Sequence, residues 1–312
     1  MKYLFYCDGG GERLLQAFRE QLTGTTVYDW QNDKNIPFDE IDAAIVWLPP
    51  ADFFDKLPNL KHVFALSAGI DSLLEHPGLS HSVAIHRLHD AGMAKQMTEY
   101  VLYGVLHAQR CFHDMRILQS QRRWDPNLQV KSTEDTQVGL LGVGALGSQV
   151  AQQLVKIGYP VRCWSRTART SLPGIAGFHG ADQLPEFLSG CHVLACLLPL
   201  TDSTRNILNA ELFRQLPRAA YLINPGRGAH LAEQDLLSAL DSGHLSGALL
   251  DVFHTEPLPS DHAFWDHPRI VVTPHVAAKT QISETIKQTL SSINSIERGE
   301  VPAGVVDRAR GY

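Results

Sequence analysis

Short apolar runs alternate with amphipathic stretches along most of the chain. Strands that are buried on both faces read as continuous apolar runs, whereas a helix covering a sheet shows a period of 3.6 residues. The alternation therefore predicts an α/β architecture with parallel sheets. The predicted strands lie at residues 3–6, 26–28, 43–47, 62–65, 83–86, 137–141, 161–164, 192–197, 220–224, 247–250 and 270–273, with helices such as 13–21 and 232–241 between them.

Two longer amphipathic segments frame the predicted domains. The run 91–120 predicts a connecting helix between the two groups of strands, and the run 280–298 is followed only by a short predicted strand at 301–306. We expect the second run to pack back on the N-terminal strands. The sequence thus predicts a discontinuous domain, 1–98 with 282–312, and a second domain, 99–281, with a cleft between them. Each is expected to be a Rossmann-like or flavodoxin-like doubly wound parallel sheet.

A glycine-rich turn joins the apolar run 137–141 to a helical stretch, and it reads Gly142-Val143-Gly144-Ala145-Leu146-Gly147. The first glycine permits a tight turn, the second lets backbone N–H groups approach phosphates, and the third lets helix and strand pack closely. The N-terminus of the helix then faces the negative charge. We predict that this turn, including Ala145 and Leu146, binds the pyrophosphate of a dinucleotide.

The apolar run 161–164 ends in Ser165 and Arg166, with Arg169 three positions further on. An NAD site places a carboxylate at this point, roughly 20 residues past the glycines, to bind the ribose 2′-hydroxyl. A carboxylate would repel a 2′-phosphate, while a guanidinium binds it through charge-assisted hydrogen bonds. Ser165 and Arg166 therefore predict NADP, with NADPH preferred over NADH.

Composition narrows the class of protein. The chain has 312 residues, 44% of them hydrophobic and 19% charged, and a formal net charge of -6, so no basic face for nucleic acid is expected. No apolar run is long enough to span a bilayer, and the N-terminus lacks the pattern of a signal sequence. Five cysteines without a CxxC pair favour a reducing compartment. We expect a cytoplasmic protein with neither nucleic-acid nor membrane partners.

Six motifs follow one another along essentially the whole chain: Leu66–Asp71, the glycine turn, Leu198–Thr201, Ile223–Gly228, Asp251–Pro257 and Thr273–His275. Together, and in this order, they resemble the D-isomer-specific 2-hydroxyacid dehydrogenases. The short N-terminal domain and Trp47-Leu48-Pro49-Pro50 are most similar to the NADPH-dependent glyoxylate/hydroxypyruvate reductases. The resemblance implies an oxidoreductase that reduces glyoxylate to glycolate and hydroxypyruvate to D-glycerate, with substrate bound by the first domain and NADP by the second.

Reduction of a 2-keto acid requires a hydride donor, a proton donor and a cation for the carboxylate. His275 follows an apolar strand, and its imidazole titrates near neutral pH, so we predict that it is the proton donor. Glu256 is its predicted partner, since a carboxylate bonded to the ring favours the charged form. Arg227, between two glycines, is predicted to hold the substrate carboxylate in a planar fork. No metal is needed.

Further site residues are predicted, some from their own chemistry and some only from the resemblance. The backbone N–H groups of Ala68 and Gly69 offer a second grip on the substrate anion. Trp47 would restrict the pocket to two- or three-carbon acids if it points into the cleft. The resemblance implies that Asp251 faces the carboxamide side of the nicotinamide, and that three residues line the adenosine side of the cofactor. Those three are Leu198, Pro199 and Thr204.

Two other functions stay open at this point. An open pocket beside Trp47 would indicate a bulkier 2-keto acid of the phenylpyruvate or 2-ketogluconate type. A non-catalytic dinucleotide-sensing protein would tolerate the loss of His275, although it would be expected to carry exposed interaction segments, which this compact sequence lacks. The resemblance also implies a homodimer, with the region 102–123 as its contact.

Overall fold

The computed structural model describes residues 1–168 and 172–311. The chain divides into two compact units: one combines Met1–Gly92 with the segment from Thr280 onward, and the other is Met93–Lys279. The first unit is therefore discontinuous in sequence. The substrate and cofactor roles of the two units stay predictions.

Strands and helices alternate along the chain in both units. The strands are β1 (Tyr3–Cys7), β2 (Val27–Asp29), β3 (Ala43–Trp47), β4 (His62–Ala65), β5 (Ala84–His86), β6 (Val138–Leu141), β7 (Val161–Ser165), β8 (Ile175–His179), β9 (Val193–Cys196), β10 (Ala220–Asn224), β11 (Leu245–Leu250) and β12 (Ile270–Val272). The helices are α1 (Glu12–Gln21), α2 (Asp71–Leu74), α3 (Met93–Gln109), α4 (Phe112–Ser120), α5 (Ala145–Ile157), α6 (Leu184–Ser189), α7 (Ala210–Gln215), α8 (Glu233–Asp241) and α9 (Ile282–Glu297).

The first unit contains a parallel sheet with the strand order β2-β1-β3-β4-β5, counted over the residues that the structure describes. Successive residues of its strands belong to two apolar cores: Leu4 and Val46 lie in one, and Phe5 and Ile45 in the other. Both faces of the sheet are therefore covered, which explains why the sequence shows apolar runs rather than alternation. Ile293 of α9 lies in the second of these cores, as expected for a segment that packs back on this unit.

The second unit contains a parallel sheet with the order β12-β11-β10-β9-β6-β7-β8, again within the described part of the chain. The order reverses between β6 and β9, which is the topological switch point where doubly wound sheets bind their ligands. The first sheet has its own switch point between β1 and β3. The predicted class of two doubly wound α/β units is confirmed.

Two predicted elements were wrong or incomplete, and one strand was not predicted. The run 91–120 forms two helices rather than one, because Cys111 adopts a left-handed conformation (φ 55°) between α3 and α4. The predicted strand 301–306 is absent from the described structure: Pro302 and Gly304 (φ 89°) interrupt it, and only Val305 forms an isolated bridge, to His86. Strand β8 was not predicted, because its half-exposed edge sequence lacks a continuous apolar run.

Candidate active site

The three glycines of the turn after β6 play different structural parts. A Cβ on Gly142, which has φ 103°, would lie 2.7 Å from the carbonyl oxygen of Leu197. A Cβ on Gly147 would lie 2.1 Å from the carbonyl oxygen of Gly142. A Cβ on Gly144 would meet nothing within 4 Å. Packing therefore excludes side chains at the outer two positions, while the middle glycine faces open space.

Helix α5 begins directly at this open space. Gly144 is its N-cap residue and provides no side chain to cap it, and Ala145 is exposed. The first N–H groups of an α-helix lack partners within the helix, and they carry the positive end of its dipole. An accessible cradle of this kind, with no Cβ filling it, fits a phosphate group. The predicted residues Gly142, Gly144, Ala145, Leu146 and Gly147 lie together in this turn and the first turn of α5.

The turn after β7 holds the residues predicted to read the ribose. The Ser165 side chain is buried and its hydroxyl donates to the carbonyl of Thr167 at 2.9 Å, whereas Arg166 is exposed. Strand β8 extends the sheet here and pairs Ser165 with His179. A small hydroxyl residue followed by an exposed guanidinium is compatible with a 2′-phosphate. Arg169 lies outside the described residues.

The loop after β9 is tied together by its own polar groups. The Thr204 hydroxyl donates to the carbonyl of Pro199 at 2.7 Å and accepts from the backbone N–H of Thr201 at 2.8 Å. The Leu198 side chain is buried in the apolar core of this unit. Leu198, Pro199 and Thr204 thus form one compact loop at the carboxyl end of β9.

Arg227 follows β10 on a loop that approaches the next strand closely. Its guanidinium donates to the carbonyl of Gly226 at 2.7 Å. A Cβ on Gly228 would lie 2.0 Å from the carbonyl carbon of Phe253, so only glycine permits this approach. The loop that carries Arg227 is therefore packed against the backbone that leads to Glu256.

Glu256 and His275 form an ion pair, as the sequence predicted. Oε2 of Glu256 lies 2.7 Å from Nδ1 of His275, and Oε1 accepts the backbone N–H of Phe253 at 2.9 Å. This second bond fixes the carboxylate, so the imidazole is oriented through Nδ1. The His275 side chain is 50% exposed, which leaves Nε2 as the nitrogen that can meet a substrate.

Each member of the pair shifts the pKa of the other. The hydrogen bond that His275 donates to Glu256 raises the pKa of His275, although burial and the charge of Arg227 oppose it. Burial raises the pKa of Glu256, but hydrogen bonds from His275 and Phe253 outweigh burial and hold that pKa below its ordinary value. The geometry thus favours an imidazolium beside a carboxylate. The positive charge of Arg227 lowers the pKa of both groups.

Asp251 organises the turn that carries His275. Its Oδ1 accepts the Thr273 hydroxyl at 2.6 Å and the Val276 N–H at 2.9 Å, and its Oδ2 accepts the Ala277 N–H at 2.8 Å. Its carbonyl accepts the His275 N–H at 2.9 Å, and His275 itself has a left-handed φ of 52°. The buried carboxylate therefore holds the catalytic candidate in a conformation that non-glycine residues rarely adopt.

The sequence did not single out two further side chains near the site, Tyr100 on the Asp251 network and His230 on the Arg227 loop. The Tyr100 hydroxyl lies 2.7 Å from the Thr273 hydroxyl and must donate to it, since the Thr273 proton goes to Asp251. His230 is fully buried between the loops of Arg227 and Pro199. The only signal for His230 was a polar residue three positions after Arg227, in a run of small and apolar residues.

The substrate residues predicted in the first unit lie at the carboxyl ends of its strands. Trp47 ends β3 with 41% of its side chain exposed. Ala68 and Gly69 follow β4, where the carbonyl of Ala68 accepts from Arg87 at 3.4 Å and that of Gly69 from Ser67 at 2.7 Å. These residues belong to a different compact unit from Arg227, Glu256 and His275.

The described residues offer neither a metal-binding cluster nor a membrane-spanning helix. No cluster of three or more histidine, cysteine or carboxylate side chains within 1–168 and 172–311 is arranged to hold a metal ion. None of the helices in that same part of the chain has the length and hydropathy needed to cross a bilayer.

Comparison with known proteins gives consistent matches. Residues 102–277 match the model of the D-isomer specific 2-hydroxyacid dehydrogenase NAD-binding domain. A D-isomer specific 2-hydroxyacid dehydrogenase from Xanthobacter autotrophicus, solved with NADPH and MES, is 36% identical with a TM-score of 0.93. That match covers 100% of this chain and 99% of the other.

Two further solved structures are similar over the same extent, 100% of this chain and 99% of theirs. One is the NADPH-dependent glyoxylate/hydroxypyruvate reductase of Sinorhizobium meliloti with NADP and sulfate, at 35% identity and a TM-score of 0.92. The other is a probable 2-hydroxyacid dehydrogenase from Rhizobium etli with NADP, HEPES and L(+)-tartaric acid, at 32% identity and a TM-score of 0.90.

Proposed function

Since this chain belongs to the D-isomer-specific 2-hydroxyacid dehydrogenase family, we propose that it is an NADPH-dependent reductase of small 2-keto acids. The proposed reactions are the reduction of glyoxylate to glycolate and of hydroxypyruvate to D-glycerate. The observation that carries the proposal is the pair of Glu256 and His275, 2.7 Å apart, beside the loop of Arg227. A proton donor and a carboxylate-binding cation in one place are what reduction of a 2-keto acid needs.

Each catalytic side chain has one proposed role. Arg227 binds the substrate carboxylate and polarises the neighbouring carbonyl. His275 donates the proton on Nε2 to the carbonyl oxygen as the alkoxide develops, and Glu256 stabilises the imidazolium through Nδ1. In the other unit, the N–H groups of Ala68 and Gly69 bind anionic substrate oxygens, and Trp47 limits the size of the substrate.

NADPH would supply the hydride when it is bound, and the turn after β6 fits its pyrophosphate. The exposed helix start at Gly144 and Ala145 offers backbone N–H groups to the phosphates. Arg166 binds the 2′-phosphate beside Ser165, a serine at the position where an NAD site places its carboxylate. Three similar structures that hold NADP or NADPH support this preference. Asp251 and the loop of Leu198, Pro199 and Thr204 border the nicotinamide and adenosine parts respectively.

Initial rates with four substrate pairs test the proposal: glyoxylate and hydroxypyruvate, each with NADPH and with NADH. We expect fast oxidation of NADPH, much slower oxidation of NADH, and a loss of about 10²–10⁴-fold in kcat for His275→Ala. His254→Ala is the matched control, because His254 lies two positions before Glu256 and binds the Leu231 carbonyl instead. Its rate should stay near that of the wild type.

The same assay separates the two other functions. Reduction of phenylpyruvate or 2-ketogluconate in preference to both small acids would replace the substrate assignment, and Trp47→Ala should move the preference in that direction. NADPH binding without turnover of any keto acid would contradict an enzymatic role and favour a dinucleotide sensor. Activity with NADH alone would contradict the role of Arg166.

A homodimer through α3 and α4 is the proposed assembly. Tyr103, Leu106 and Phe112 are 47%, 39% and 40% exposed there, which is unusual for three large apolar side chains on one pair of helices. Sedimentation equilibrium should give a molar mass of twice that of the chain. Leu106→Glu should lower this mass towards that of a single chain. A wild-type monomer would contradict the assembly.

The five free thiols support a reducing, cytoplasmic setting.

A further inference from the structure

His230 is a fully buried histidine between two loops of the proposed site. It ends the short 3-10 helix Gly228–His230 that directly follows Arg227. Its Nδ1 accepts the backbone N–H of Arg227 at 3.2 Å, and its Nε2 lies 3.3 Å from the carbonyl oxygen of Pro199. One imidazole ring thus bonds the loop assigned to the substrate carboxylate and the loop assigned to the cofactor.

The two bonds determine the state of the ring. A carbonyl oxygen only accepts, so Nε2 must carry the proton, and Nδ1 must be free to accept from Arg227. The imidazole is therefore neutral, in the Nε2–H form. The thiol of Cys196 also lies 3.7 Å from Nδ1. The pairing of Asn206 and Leu208 with Ala229 and His230 holds the backbone on both sides.

We propose that His230 is a positioning residue that aligns Arg227 with the Pro199 loop through its two ring nitrogens. The role rests on the proposed function, because it assigns the Nδ1 bond to substrate binding and the Nε2 bond to cofactor binding. If His230 were purely structural, its substitution would change the KM for NADPH and the KM for the keto acid alike. If it is a positioning residue, each KM changes separately, depending on which ring nitrogen the substitution removes.

Two substitutions separate the nitrogens. The Oδ1 of His230→Asn can replace Nδ1 as the acceptor for Arg227 but cannot reach Pro199. The Nε2 of His230→Gln can replace the donor to Pro199 but provides no acceptor at the δ position. We expect His230→Asn to raise the KM for NADPH about tenfold with little change for glyoxylate, and His230→Gln to do the reverse, each by the loss of one buried hydrogen bond.

His244→Gln is the matched control. The Nε2 of His244 lies 2.7 Å from the carbonyl of Phe213, a bond of the same kind. His244, however, directly precedes β11 and so lies at the amino end of the strands, away from the loops at their carboxyl ends. This variant should change the midpoint of thermal unfolding and neither KM. If both KM values instead rose together in both His230 variants, in proportion to the fall in their unfolding midpoints, the positioning role would be overturned.

A variant outside His230 provides an independent test if either His230 variant fails to fold. Thr204 donates to the same Pro199 carbonyl at 2.7 Å, so Thr204→Val should raise the KM for NADPH in the same direction as His230→Asn. An unchanged KM would overturn the cofactor half of the proposal. A wild-type protein that reduces neither keto acid would overturn the proposed function, and active variants with wild-type constants would overturn the His230 role alone.

Discussion

His275, the proposed proton donor, has one carboxylate bonded to its ring. Oε2 of Glu256 bonds Nδ1, and that bond raises the pKa of His275. Reduction needs the protonated ring, so activity should be present below the pKa of His275 and fall as the pH rises through it. On the proposed mechanism, we therefore expect Glu256 to determine how far towards alkaline pH the enzyme remains active.

Glu256→Gln should move the alkaline limb of the kcat/KM profile for glyoxylate to lower pH. The amide keeps the shape of the side chain but removes the negative charge that favours the imidazolium. Glu233→Gln is the control, because Glu233 pairs with His262 at 3.2 Å in a similar way. A profile of Glu256→Gln that coincides with the wild type would contradict the assignment.

At the scale of elements, the turn from β6 into α5 separates packing from binding. A Cβ at Gly147 would collide with the Gly142 carbonyl, whereas a Cβ at Gly144 meets open space. Packing therefore requires glycine at position 147, whereas at position 144 only the proposed phosphate site calls for it. Only the first requirement concerns the stability of the fold.

Substitutions at these two glycines should affect different properties, stability at Gly147 and NADPH binding at Gly144. Gly147→Ala should lower the free energy of unfolding by about 1–3 kcal/mol through overpacking. Gly144→Asp should fold normally, since aspartate is a good N-cap residue, yet it should weaken NADPH binding at least about tenfold by repelling the phosphates. Thermal unfolding and calorimetric titration measure the two effects. Wild-type NADPH affinity in Gly144→Asp would contradict the phosphate site.

The turn after β12 is held by the carboxylate of Asp251. Asp251→Asn would turn an amide N–H towards a backbone N–H, which leaves a buried donor unpaired. We expect a loss of about 1–3 kcal/mol in the free energy of unfolding and a lower kcat, because the left-handed turn at His275 loosens. Chemical denaturation and glyoxylate kinetics measure both. Unchanged kcat would show that the turn does not depend on this charge.

At the scale of the whole molecule, each unit buries a histidine that resists protonation. Burial and the charge of His62, whose Nδ1 lies 3.1 Å from the ring, lower the pKa of His86 to about 4. Burial, with the charges of His107 and two arginines, lowers the pKa of His113 to about 3. The unfolded chain binds these protons near pH 6.5. Stability contributed by the neutral rings is therefore lost as the pH falls below 6.5.

The free energy of unfolding should decrease between pH 6.5 and 4 by up to about 1.4 kcal/mol per pH unit for each of these histidines. His86→Gln should reduce that slope, since glutamine can replace one hydrogen bond without binding a proton. His81→Gln, at an exposed position, is the control. Equal slopes in His86→Gln and the wild type would contradict the linkage.

Local patterns in the sequence predicted most of the fold. The parallel sheets, the glycine turn and the packing of α9 followed from apolar runs and periodicity, because a strand buried on both faces leaves that signature whatever its neighbours are. Strand β8, the break at Cys111 and the loss of the strand at 301–306 were not predicted. Each depends on a neighbour distant in sequence or on one residue's backbone conformation, which composition does not encode.

The sequence by itself determined the identity and order of the catalytic candidates: glycines, Arg227, Glu256 and His275 follow successive strands, and the carboxyl ends of parallel strands share one edge of a sheet. Only the tertiary structure decided which groups meet. The 2.7 Å pair, the three bonds on Asp251 and the two bonds of His230 join residues between 3 and 31 positions apart. Such contacts depend on loop geometry and burial, because a buried polar group takes whichever partner the fold brings to it.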